Sequence, residues 1–162
     1  MGIGNFLYIK IPKALSAIRD LSYSKTIHSR GLTFKLINDS WITKYRARTF
    51  NEKEPEMLDW LDQNLLDADI FFDIGANIGY FTLIMAKGIR ENGKVFSFEP
   101  EPKNFKLLKK NVEINNYSNV ILEKKAIGNK TGIAKLYLAN RKNNIFYSGM
   151  HRIFRSDLVS QI

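Results

Sequence analysis

The chain has 162 residues, 25 of them Lys or Arg against 16 Asp or Glu, for a formal net charge of +9, and this length makes one domain the default. With 44% hydrophobic and 12% aromatic residues it is too apolar for intrinsic disorder and long enough to bury a core. The absence of cysteine excludes disulfide scaffolds, thiolate zinc sites and cysteine nucleophiles, two histidines do not make a metal centre, and the composition fits a reducing, cytoplasmic compartment.

Met1–Lys10 holds the apolar group Phe6-Leu7-Tyr8-Ile9 with no basic region before it and no small-residue cleavage site after it, so no signal peptide is expected. Phe6 also stands where a myristoylation pattern needs Ser or Thr. No apolar run approaches the ~20 residues that cross a bilayer. Over the first thirty residues Ile11, Leu15 and Ile18 recur at helical spacing among Lys10, Lys13, Arg19, Lys25 and Arg30. That pattern predicts a short amphipathic helix, either packed on the domain edge or presenting a basic face to anionic lipid or a partner.

From Thr33 the period is two. Phe34 and Leu36 alternate with Lys35, Asn38-Asp39-Ser40 supplies turn chemistry, and Trp41, Thr43 and Tyr45 alternate with Ile42, Lys44 and Arg46, which predicts a β-hairpin. Arg46 and Arg48 would then lie on a strand face, solvated or open to an anionic acceptor. Pro55 at a first helical position and the stripe Met57, Leu58, Leu61, Leu65 and Leu66 predict a helix ending near Asp67. Residues 1–66 thus form a lead-in of helix, hairpin and helix, and 67–162 a second unit.

In that unit strand and helix signals alternate. Ile70–Ile74 is expected to be a buried strand, Ile78–Lys87 a helix, Asn92-Gly93 a turn and Lys94–Phe98 a strand. Pro102–Asn115, with Phe105, Leu108, Val112 and Ile114, is expected to be a helix, and Val120–Lys124 a strand. After a turn at Gly128–Gly132 a further strand is expected over Ile133–Leu138. Strands separated by helices of this length make βαβ units and a parallel sheet.

Asp73-Ile74-Gly75-Ala76-Asn77-Ile78-Gly79 carries a strand through two glycines into a helix, at the sheet end where ligands bind. Glycines let a ligand approach the backbone, and a helix start offers unpaired amides. The spacing is D-x-G-x-x-x-G rather than the G-x-G-x-x-G of dinucleotide sites. Asp73 would repel a pyrophosphate and attract a cationic amine or sulfonium, which favours S-adenosylmethionine over NAD. Glu99, about twenty residues further on at the end of the next strand, is placed to accept hydrogen bonds from ribose hydroxyls. Pro100 and Pro102 stiffen the exit from that strand, and Asn104 lies in the first turn of the next helix.

The run D-I-G-A-N-I-G-Y-F-T, followed by G-K-V-F-S-F-E-P-E-P-K-N-F-K-L-L-K-K-N and A-I-G-N-K-T-G, resembles the FkbM family of S-adenosylmethionine-dependent methyltransferases over roughly residues 45–140. The upstream stretch Y-R-A-R-T-F-N-E-K-E-P-E-M-L-D-W-L is similar as well. The resemblance implies a class I methyltransferase, Rossmann-like α/β doubly wound sheet with Asp73, Gly75, Asn77 and Gly79 around the methionine end of the cofactor. It further implies that Glu99 holds the ribose and that Pro100, Asn104 and Ala126 border the adenosine, with O-methylation of a sugar or small-metabolite hydroxyl as the activity. Glu54 and Glu56 either charge the start of their helix or, as the resemblance hints, reach the cofactor. No residue is assigned as a general base.

Members of that family continue into an acidic I-D-V-E-G-type segment beside the acceptor, which has no counterpart before Ile162. The expectation is therefore a half-built sheet, inactive alone, whose unpaired strand edge favours self-association. The rival readings are a non-catalytic cofactor-binding or interaction remnant and a nicotinamide oxidoreductase, the latter disfavoured by the missing G-x-G-x-x-G. His28 and His151 are read as surface or packing residues rather than catalysts, and no metal is expected. The cationic residues are scattered without an aromatic-interleaved patch, which points away from nucleic acid and toward a small-molecule or glycan acceptor.

Overall fold

The computed structural model describes residues 23–136 except 39, 53, 66–69, 90 and 134, and gives the backbone only at 42, 46 and 50. The helix expected over Ile11–Ile18, the hydrophobic end of the lead-in helix at Leu66 and Asp67, and His151 lie outside the described residues. Within them the order is β1 (Ser24–Ser29), β2 (Leu32–Ile37), α1 (Trp41–Arg48), a 3-10 turn (Phe50–Glu52), α2 (Pro55–Asn64), β3 (Ile70–Ile74), α3 (Tyr80–Gly88), β4 (Lys94–Phe98), α4 (Pro102–Ile114) and β5 (Val120–Glu123).

The hairpin is real but uses other partners than its sequence pattern suggests. β2 pairs antiparallel with β1, Ser29 opposite Leu32 and Ser24 opposite Ile37, a strand that the sequence pattern over residues 24–29 does not predict. Arg30 and Gly31 form the two-residue turn with φ of 51° and 75°, the left-handed pair that matches the twist of a tight hairpin. Arg30 holds this tip against α2 through Asp59 at 2.6 Å and Asp62 at 2.8 Å.

Trp41–Arg48, expected as the second hairpin strand, is a helix. The residues that suggested a turn are its cap: Ser40 Oγ accepts from the Thr43 amide at 3.2 Å, and Thr43 Oγ1 accepts from the Ser40 amide at 2.9 Å. Satisfying two otherwise orphan donors at once outweighs the strand preference of Trp, Thr and Tyr. Arg46 and Arg48 accordingly occupy a helix rather than a strand face. Ser40→Ala should cost about 1 kcal/mol, seen as a lower midpoint in thermal unfolding; an unchanged midpoint would mean that the cap does not hold this helix.

The second sheet is parallel, in the order β3-β4-β5, as two successive βαβ units require. Its core side joins Phe71 and Val95 to Leu83, Ile84, Leu108 and Val112 of the two crossover helices, and to Phe34, Leu36, Leu58 and Leu61 from the lead-in elements. β3 was expected to be buried on both faces. Instead Phe71 is buried while Phe72 and Ile74 are each 62% exposed, and Phe72 stacks on Phe96 and Phe98 along the outer face. Among the described residues the helices cover one face of the sheet. At the far end, positions 133, 135 and 136 form no part of a strand, and Ile133 is exposed, so the strand expected there finds no paired neighbour among the described strands.

Candidate functional site

The carboxyl ends of β3, β4 and β5 carry the residues singled out in the sequence. β3 ends at Ile74, and the chain turns through Gly75–Gly79 into α3. Gly75 and Ala76 both donate their amides to the Phe98 carbonyl, at 2.9 and 3.0 Å, which folds the loop over the end of β4. This path puts Gly75, Asn77 and Gly79 in the left-handed region, with φ of 81°, 56° and 94°. The two glycines serve different ends. A Cβ on Gly75 would meet nothing within 4 Å, so this backbone borders open space, whereas a Cβ on Gly79 would sit 2.8 Å from Leu108 Cδ1. Gly79 is where α3 closes on α4, and Gly75 is where a ligand can reach the main chain.

Glu99 leaves β4 fully buried, 0% exposed. Its Oε2 accepts from the Asn77 amide at 2.8 Å and its Oε1 from the Glu101 amide at 2.7 Å. The two sequence signals, glycine loop and strand-end carboxylate, are thereby joined by one charge-assisted hydrogen bond. Glu101, which the sequence reading passed over, is also buried and caps α4 by accepting from the Lys103 and Asn104 amides at 3.2 and 2.8 Å. An acid immediately before a Pro at the first helical position was the signal for it.

Asp73 lies beneath the loop. It pairs with Ser97 across β3 and β4 and accepts a hydrogen bond from the Thr82 hydroxyl on α3, which is in turn 3.0 Å from Ser97 Oγ. Burial pushes the Asp73 carboxyl above its ordinary pKa, the hydrogen bonds with Thr82 oppose that, and the Glu99 charge adds to it. Pro100 is half-buried beside Glu99, Asn104 is buried in the first turn of α4, and Ala126 is exposed in the segment that follows β5.

The loop amides do not remain open as expected for a helix start. Gly75, Ala76 and Gly79 donate to backbone carbonyls and Asn77 to Glu99, so these four do not form an anion cradle of the phosphate-binding kind. Glu54 makes no side-chain cap bond at the start of α2. It lies close enough to Tyr80, the first residue of α3, for its charge to add to burial in raising that phenol's pKa. Glu56 is exposed in the first turn of α2. His28 is exposed at the hairpin, with Nδ1 3.1 Å from Thr33 Oγ1. Among the described residues there is no His/Cys/Asp/Glu group able to hold a metal, and no helix long and apolar enough to cross a membrane.

The model of the TRM5/TYW2 methyltransferase domain matches residues 34–140. The chain belongs to this family. The expected S-adenosylmethionine-dependent methyltransferase fold is thus borne out, but the match is to the TRM5/TYW2 domain and does not support the FkbM family that the motifs resemble. Similar solved structures include TYW2 of M. jannaschii in complex with AdoMet, 25% identical over 62% of this chain and 42% of that one, with a TM-score of 0.44. A SAM-dependent methyltransferase from Aquifex aeolicus is 21% identical over 52% of this chain and 45% of its own, TM-score 0.44. A putative rRNA-methylase from Clostridium thermocellum is 25% identical over 44% and 41%, TM-score 0.42. The chain spans less than half the length of each of these structures. No curated protein matches it.

Proposed function

We propose that this chain is the cofactor-binding part of an S-adenosylmethionine-dependent methyltransferase, with the Gly75–Gly79 loop against the methionine end and Glu99 on the ribose. The observation that carries this reading is the hydrogen bond from the Asn77 amide to Glu99, which fixes loop and carboxylate as one unit beside the open space at Gly75. The commitment of four loop amides supports it further, because a dinucleotide pyrophosphate would find them taken. In this reading Pro100, Asn104 and Ala126 border the adenosine side, and Glu54 stands at the methionine side near Tyr80.

Held by the Gly75–Gly79 loop and Glu99, the cofactor would supply a sulfonium methyl group for transfer to an acceptor oxygen. The protein's part is alignment. Glu99 is held by two backbone amides and so keeps one orientation, and the start of the loop keeps one register because Gly75 and Ala76 are tied to the Phe98 carbonyl. Calorimetry with S-adenosylmethionine and with S-adenosylhomocysteine tests the site. Saturable binding of both, with no binding of NADH, is the expected result; the reverse preference would overturn it in favour of a nicotinamide site.

For the acceptor, the reading is a hydroxyl on a sugar or small metabolite, in a cytoplasmic setting. A specific observation favours a second reading, a single-stranded RNA acceptor. Trp41, Lys44, Tyr45 and Arg48 fall at i, i+3, i+4 and i+7 of α1 and are all exposed, with the Trp41 and Tyr45 rings stacked at 5.9 Å and 14°. Alternating aromatic and cationic side chains on one helix face are suited to bases and phosphates, whereas the strand that the sequence pattern predicts over Trp41–Arg46 would split Trp41 and Tyr45 from Lys44 onto opposite faces. Transfer of labelled methyl to hydroxylated small acceptors or to RNA separates the two.

A further inference from the structure

Asn111 on α4 and Asn115 at its C-cap lie one turn apart and both reach the hairpin, yet only Asn111 also touches the cofactor loop. Asn111 is 1% exposed; its Oδ1 accepts from the Ile37 amide at the end of β2 at 2.8 Å, and its Nδ2 donates to the Ile78 carbonyl at 2.7 Å. Ile78 stands between Asn77 and Gly79, two of the three left-handed residues whose backbone sets where the loop points. Asn115 brackets Lys35 instead, accepting from its amide and donating to its carbonyl, each at 2.7 Å, and donates to the Asn111 carbonyl at 2.6 Å.

We infer that Asn111 is a positioning residue that couples the N-terminal hairpin to the cofactor loop, so that seating of the hairpin and binding of the cofactor form one linked equilibrium. The inference rests on the cofactor reading above. A buried amide side chain satisfied at both ends fixes both partners, since releasing either leaves a buried polar group unmatched. The Ile78 carbonyl can rotate away from Nδ2 only by changing ψ of Ile78 and φ of Gly79, and Gly79 packs against α4 so closely that a Cβ there would sit 2.8 Å from Leu108 Cδ1. With the carbonyl held, the Asn77 amide stays on Glu99. Reciprocity then follows: a ligand that favours this loop conformation favours the docked hairpin by the same free energy.

The test uses the whole chain. In hydrogen exchange, saturating S-adenosylmethionine should raise protection at Ile37, some forty residues before the loop, along with protection at Asn77. Asn111→Ala should weaken binding about tenfold, while Asn115→Ala, which frees the same strand without touching the loop, should change it less than about threefold. Asn111→Asp adds a readout that a purely structural role would not move. Its protonated carboxyl can donate to the Ile78 carbonyl as the amide does, and its carboxylate cannot, so its deficit relative to wild type should shrink as pH falls. Should Asn111→Ala not fold, the wild-type exchange experiment decides. Cofactor binding with Ile37 protection unchanged overturns the coupling alone. No binding by the wild-type chain overturns the cofactor reading and this inference with it.

Discussion

Gly75→Val should abolish S-adenosylmethionine binding while leaving most of the fold's stability in place. Its Cβ would enter space where no protein atom lies within 4 Å, so the fold meets no collision and the cost is that of a left-handed, β-branched residue at φ 81°, roughly 1–2 kcal/mol. A ligand lying against that backbone would meet the whole side chain. Gly79→Val should behave in the opposite way. There the new Cβ meets Leu108 Cδ1 at 2.8 Å, and Leu108 is fully buried, so overpacking of about 1–3 kcal/mol adds to the backbone cost. Thermal unfolding and calorimetry on the two variants side by side should separate a ligand wall from a helix contact. Unchanged affinity in Gly75→Val would sink the assignment of the loop as the cofactor site.

Glu99→Ala should lose both stability and cofactor. It strips the acceptor from two amides, those of Asn77 and Glu101, and an unmatched buried donor costs about 1–3 kcal/mol. The same carboxylate is the group proposed to hold the ribose, and its loss should weaken binding by about 2 kcal/mol, near thirtyfold. Glu99→Gln distinguishes the two parts. It retains one acceptor oxygen but turns an NH2 toward an amide donor, so it should recover some stability and little affinity. With folding verified by circular dichroism, a loss of affinity below twofold in either variant would mean that the carboxylate only staples the loop to β4.

The part of the molecule from Ile70 to Glu123 was legible because each element carries its own signal. Strand runs of Ile, Phe and Val alternate with helices opened by Gly79 or Pro102, and the order of a parallel sheet follows from that alternation. The lead-in was not legible for physical reasons that differ by element. β1 holds a single large apolar residue, Ile27, and is a strand through its pairing with β2. Trp41–Arg48 has strand-forming side chains, and two short hydrogen-bonded contacts at Ser40 and Thr43 decide otherwise. Asn111 and Asn115 read as the polar face of an amphipathic helix, when in fact that face receives another strand's backbone. In the site, Asp73, Gly75, Gly79 and Glu99 could be picked out because they stand at the strand ends and the strand-to-helix turn, the positions proposed for the cofactor. For the same reason they did not separate one methyltransferase family from another, since nothing in them addresses the acceptor.

The bonds that Asn111 and Asn115 make to the hairpin span 74 and 80 residues of chain, which gives the molecule an order of assembly during synthesis. A hairpin with a two-residue turn closes in about 1–10 μs, yet alone it is marginal in water. At about 5–20 residues per second, the asparagine that receives Ile37 is polymerised roughly 4–15 s later. Through that interval Phe34 and Leu36, buried in the finished protein, lack α4, which together with the earlier-made α3 packs against β2. The hairpin therefore gains the two asparagine bonds that pin it only after α4 has been made.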